Sequence, residues 1–157
     1  MVSDAVDRFL AAAKARGLDP DVHHWPAGTR TARDAAAAVG CEVGQIVKSL
    51  VFVADGRAVV VLTSGSNRVD TGKVAAHLGA AEVRKADAEE ARAATGFAIG
   101  GTPPLGYPAP LPVLVDRDLL AYEVVWAAAG TPDTTFPVDP HALRDAADGE
   151  VTDSAER

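Results

Sequence analysis

The chain has 157 residues, of which 48% are apolar and 24% charged, with a formal net charge of −7. This length allows one domain with a buried core, and the composition excludes a disordered chain. The acidic balance argues against a broad duplex-DNA surface, and the apolar runs are far shorter than the ~20 residues of a membrane span.

Met1 to Arg8 carries early acids and no signal-peptide pattern, so a cytoplasmic protein is expected. Ala5 to Arg16 places Val6, Phe9, Leu10 and Ala13 at helical spacing ahead of Gly17, which predicts a helix. Val22 to Trp25 reads as a short strand stopped by Pro26. Thr31-Ala32-Arg33-Asp34 is a capping-box pattern with Asp34 in the usual Glu place, and Gly40 ends the alanine-rich helix it opens. Ile46 to Val53 and Ala58 to Thr63 are apolar strands flanking Asp55-Gly56, a dipeptide suited to a tight hairpin.

A short helix follows from Thr71 to Leu78, closed by Gly79. Glu82 to Arg84 predicts a brief strand, and Asp87 opens a helix reaching Thr95. Beyond a Gly/Pro loop, Val113 to Asp116 and Tyr122 to Trp126 predict two strands, and Thr134 to Val138 an edge strand. Asp139-Pro140 caps a last helix, His141 to Ala146. No repeat or linker divides residues 1–157, and no βαβ rhythm is present. The expected fold is α/β (α+β), one domain with a mixed, mainly antiparallel sheet surrounded by helices.

Lys48 lies inside the apolar run Ile46 to Val53. Strand alternation puts Ile46, Lys48, Leu50 and Phe52 on one face and Val47, Ser49, Val51 and Val53 on the other. An ammonium there reaches solvent past a strand end, pairs with an acid, or meets a ligand. The loop Gly100 to Pro108 combines adjacent glycines with stiffening prolines. Such a loop either makes a surface connection or directs backbone N–H groups at an anion or carbonyl.

No hydrolytic nucleophile stands out. Cys41 excludes an internal disulfide and, lacking an evident partner, reads as a buried structural thiol. His23 and His24 point to opposite strand faces and make poor metal co-ligands. Asp116 can orient a substrate amine or cap the turn after its strand, and Trp25 and Trp126 read as core. Arg30, Arg33, Lys48, Arg57, Arg68 and Lys73 concentrate basic charge in the first half, while the tail after Leu143 is mostly acidic. No metal or organic cofactor is expected.

Thr29-Arg30-Thr31-Ala32, Gln45 to Phe52, Thr95 to Pro104, Val113 to Asp116 and Ala129-Gly130 occur in this order. Together they resemble the YbaK / prolyl-tRNA-synthetase-associated editing-domain family, from about residue 20 to 153. The resemblance implies a central barrel-like mixed sheet and hydrolysis of mischarged aminoacyl-tRNA, carried out beside a synthetase such as prolyl-tRNA synthetase. Lys48 matches the family's essential lysine, and Gly100 to Pro104 matches its Gly-x-x-x-Pro loop for the terminal adenosine and ester carbonyl. The implied catalytic set is Lys48, Gly100, Gly101 and Thr102, with Pro103, Pro104, Thr31, Asp116 and Gly130 binding substrate. The corner Ala127-Ala128-Ala129-Gly130 lacks the serine of cysteine-directed members, which argues against cysteinyl-tRNA. The rival readings are a non-catalytic aminoacyl-tRNA or nucleotide binding module, and a hydrolase using Cys41.

Overall fold

The computed structural model describes residues 4–26, 28–29 and 31–157, so Arg30 and the N-terminal segment Met1 to Ser3 lie outside the described residues. The first helix, α1 (Asp4–Ala15), turns Val6, Phe9 and Ala13 inward. Thr31 Oγ1 accepts the Asp34 N–H at 3.0 Å and starts α2 (Ala32–Val39). Asp70 does the same for α3 (Thr71–Leu78), and Asp139 for α5 (Pro140–Ala147). A reciprocal Asp87–Glu90 capping box opens α4 (Ala88–Thr95). Each cap satisfies amides that a helix start leaves without a partner.

The strands are β1 (His23–His24), β2 (Ile46–Ala54), β3 (Arg57–Ser64), β4 (Val83–Lys85), β5 (Val113–Asp116), β6 (Val125–Ala128), β7 (Thr134–Val138) and β8 (Glu150–Thr152). They form one sheet in the order β1-β7-β6-β2-β3-β5-β8, with β4 added to β2. The β2–β3 hairpin turns at Asp55 and Gly56, whose φ values of 48° and 83° suit a turn needing positive φ twice. β1–β7, β2–β3, β2–β4 and β6–β7 are antiparallel, whereas β2–β6, β3–β5 and β5–β8 are parallel. The mixed, mainly antiparallel sheet expected from the sequence is therefore present.

Three local expectations differ. The strand predicted at Tyr122 to Trp126 starts later, at Val125, because Arg117–Ala121 forms a 3-10 turn capped by Asp116. β7 is covered by β1 and is not an edge strand. β8, which the sequence reading did not include, has three residues of which two are exposed, too short a pattern to mark a strand.

Phe9 and Phe136 meet with ring centroids 4.9 Å apart in the main core. Val59 to Leu62 of β3 are buried on both faces, with Phe52, Val74 and Leu114 packed on the side of α3. This double burial holds the hairpin rigid from both sides.

The far edge of β2 positions the site. β6 pairs with it only at Ile46 and Val47, and β4 only from Phe52 to Ala54. Residues 48–51 therefore have no strand partner on that edge, and the sheet splits there. Val51 O accepts the Ala86 N–H at 3.0 Å across this edge, whereas Ile46 O accepts Gly65 N–H at 2.7 Å on the β3 side. By strand alternation the main-chain groups of Ser49 point into the split.

Candidate active site

A cavity of about 400 Å³ occupies the split. It is lined by Lys48, Ser49 and Leu50 of β2, by Lys85 and Ala86 at the end of β4, and by Trp126, Ala128 and Thr135 of β6 and β7. Thr31, Ala32 and Ala35 from the start of α2 and Ile99, Gly100 and Thr102 of the Gly/Pro segment complete the lining. Of the expected site residues, Lys48, Thr31, Gly100 and Thr102 are thus brought to one space.

The lining is chemically one-sided. Its charged residues are Lys48 and Lys85, and among the described residues no Asp, Glu, His or Cys lines it. Burial is the main reason Lys48 is held below its ordinary pKa, followed by the positive charges of Lys85 and Arg68, with Asp116 pulling the other way. Lys48 Nζ donates to Asn67 O at 3.0 Å, leaving two ammonium hydrogens for a ligand.

The Gly/Pro loop is pinned from behind. Gly101 N–H donates to Ala98 O at 3.1 Å, and Thr102 Oγ1 donates to the same oxygen at 3.1 Å. Tyr107 Oη donates to Pro103 O at 2.7 Å. Among the described residues, the Gly100 and Thr102 N–H groups have no hydrogen-bond acceptor. Both residues line the cavity, which puts two N–H groups without an acceptor among the described residues at its wall.

Gly101, Pro103 and Pro104 are buried behind that lining. Gly130 also stands away from it, with the backbone of Ala5 so close that a Cβ would come within 2.7 Å of Ala5 O. Asp116 is fully buried and outside the lining. Its carboxylate accepts from Ser64 N–H (3.1 Å), Asn67 Nδ2 (2.8 Å) and Asp118 N–H (2.9 Å), the capping role that the sequence left open beside substrate contact.

Lys85, Ser49 and Asn67 belong to this neighbourhood but did not stand out in the sequence. The Ser49 hydroxyl is buried and has no hydrogen-bond partner among the described residues. A polar residue in the apolar run was its one signal. Lys85 ends an exposed-looking strand, and only the pairing Phe52↔Lys85 carries it to the cavity. Trp126, expected in the core, is half-buried and lines the cavity instead. Cys41 is half-buried away from the lining, and burial pushes its thiol pKa up, which disfavours a reactive thiolate.

A model of the aminoacyl-tRNA editing domain matches residues 26–146. The chain belongs to this family. A solved structure described as a proposed trans-editing enzyme for prolyl-tRNA synthetase shares 47% identity with a TM-score of 0.94, covering 100% of both chains. A proline–tRNA ligase of Geobacter sp. (strain M21) is 34% identical over 115 residues, covering 73% of this chain and 20% of the ligase. A second, from Ligilactobacillus salivarius (strain UCC118), is 37% identical over 90 residues, covering 57% of the chain and 16% of the ligase. The editing domain described here thus spans about a fifth of the curated relatives it matches. Among the described residues, no helix is long and apolar enough to cross a membrane.

Proposed function

We propose that the chain is a trans-editing aminoacyl-tRNA deacylase that hydrolyses the ester of a tRNA carrying a small wrong amino acid. The observation that carries this reading is the meeting of Lys48 with the Gly100 and Thr102 N–H groups in a cavity whose charges are all positive. Lys48 and Lys85 suit the phosphates of a tRNA 3′ end, with Arg68 close enough to add to their field. The loop donors suit the oxyanion that develops on the ester carbonyl.

The absence of an acid, imidazole or thiol from the lining fits this chemistry. An aminoacyl ester is already activated, so the protein need only hold it, admit water and stabilise the charged intermediate. The ribose hydroxyl beside the ester relays the proton from the attacking water to the departing ribose oxygen, so the substrate itself takes the place of a protein base. Ala32, Ala35, Ala86, Ala91 and Ala128 line the cavity, so discrimination rests on volume. A methylene is then worth only about 1–3 kcal/mol, and related small amino acids are separated imperfectly.

The 3′ end of aminoacyl-tRNA is the proposed partner, and with a net charge of −7 the protein grips the tRNA body weakly. A synthetase such as prolyl-tRNA synthetase supplies the remaining contact, in the cytoplasm. The test is deacylation of alanyl-, cysteinyl-, seryl- and threonyl-tRNA with correctly charged prolyl-tRNA as control. Hydrolysis of a small mischarged species with the control spared is expected. Binding of a non-hydrolysable aminoacyl-adenosine without any ester turnover would instead favour a recognition module.

A further inference from the structure

We propose that Asn67 is the positioning residue for Lys48, fixed by a carboxylate fork made from Asp116 and Asp118. This rests on the reading of Lys48 as the substrate clamp. A lysine has a long, flexible stem, and its ammonium is a point charge with no geometry of its own. Something must therefore fix where Lys48 Nζ sits, and the structure shows it donating to the main-chain oxygen of Asn67 at 3.0 Å.

That oxygen belongs to the short connection between β3 and α3, a segment without sheet pairing at Asn67. Its place is set by the side chain. Asn67 Nδ2 donates one hydrogen to Asp116 Oδ2 at 2.8 Å and the other to Asp118 Oδ2 at 2.7 Å. Asn67 N–H donates to Ser64 O at 2.9 Å. Asp116 is itself locked by the Ser64 and Asp118 amides, and Arg157 Nη1 donates to Asp118 Oδ2 at 2.9 Å. The chain of contacts runs from β5 through Asn67 to the cavity.

A primary amide is the residue type this fork demands. It carries two donors on one nitrogen, one for each carboxylate, and no charge. An aspartate at 67 would face two like charges, and an alanine would leave the buried Asp116 short of a donor. The charged groups facing Lys48 are Lys85, Arg68 and Asp116, and two of these three repel it. The Asn67 carbonyl is the neutral acceptor that keeps the ammonium in place against that repulsion.

The experiment is a double-mutant cycle on the full chain with Lys48→Ala, Asn67→Ala and the pair, together with Asp118→Asn. Thermal melts check that each variant folds. Asn67→Ala is expected to lower kcat/KM for ester hydrolysis about tenfold or more, and to add nothing in the Lys48→Ala background. Losses that multiply, or a folded Asn67→Ala protein at the wild-type rate, would overturn the proposal. NMR titration of the Lys48 εCH₂ gives a readout independent of turnover. The midpoint is expected to fall in Asn67→Ala and, to a lesser degree, in Asp118→Asn, and an unchanged midpoint overturns the proposal. Asp118→Asn carries both readouts if Asn67→Ala does not fold. A wild-type protein inert on every ester would sink the deacylase reading alone, with the titration still deciding the role of Asn67.

Discussion

The backbone of Thr131 presses against Gly101 so closely that a Cβ on Gly101 would lie 2.7 Å from Thr131 Cα. This contact seats the Gly/Pro loop on the corner that follows β6 and fixes that part of the cavity lining. Backbone on both sides cannot give way as a side chain would. Gly101→Ala is expected to cost about 1–3 kcal/mol, as overpacking of a tight interior does. Chemical denaturation should show this as a lower midpoint with an unchanged slope. A stability equal to wild type would mean that the corner is compliant.

Tyr107 tests the same loop from the other side. Tyr107→Phe removes the donor to Pro103 O and leaves a buried carbonyl without its partner. A loss of roughly 1–3 kcal/mol is expected, with a larger drop in deacylation than in fold stability, because the Gly100 and Thr102 N–H groups lose their backing. Equal melting temperatures and equal rates would show that the hydroxyl does not brace the loop.

The Ser49 hydroxyl should be dispensable for stability and for function. Its buried hydroxyl has no partner among the described residues, so Ser49→Ala removes an unsatisfied group and is expected to leave the melting temperature unchanged or raise it. The hydroxyl is not exposed to the cavity, so kcat/KM is expected to stay within about twofold of wild type. A clearly destabilised Ser49→Ala protein would show that the hydroxyl is bonded in solution.

The pH dependence follows from Lys48. Its pKa is lowered from the ordinary 10.5 by burial first, then by Lys85 and Arg68. The folded protein releases this proton before the unfolded chain does, so between the two values the unfolded chain holds more protons. The penalty that Lys48 places on stability is therefore full below the folded value and fades as pH rises to 10.5. If the ammonium is the working form, protein-dependent deacylation falls on the alkaline side beginning below 10.5. Rates corrected for spontaneous ester hydrolysis would measure this limb. Lys48→Arg, which does not titrate there, should remove it, and a limb persisting in that variant would assign it to another group.

Lys85 should behave as a binding residue. It lines the cavity but makes no side-chain ion pair among the described residues, so Lys85→Ala is expected to raise KM several-fold at constant kcat. The dependence of KM on salt should weaken in parallel, as one phosphate contact is lost. A fall in kcat with KM unchanged would move Lys85 from binding to chemistry.

Local chemistry was legible in the sequence because it acts over a few residues. Thr31, Asp87 and Asp139 cap helices within three residues of themselves, and Asp55-Gly56 sets the hairpin turn by its own backbone preferences. The apolar run around Lys48 marked a charge in an unusual place before any fold was known. What the sequence could not carry is sheet order, since the parallel pairings β2–β6, β3–β5 and β5–β8 join segments with no turn between them. The split along β2, the arrival of Lys85 and Trp126 at one cavity, and the fork that ties Asp116 to Lys48 through Asn67 all depend on that order. A residue's own pattern decides its element; which distant residue it meets is decided by long-range packing alone.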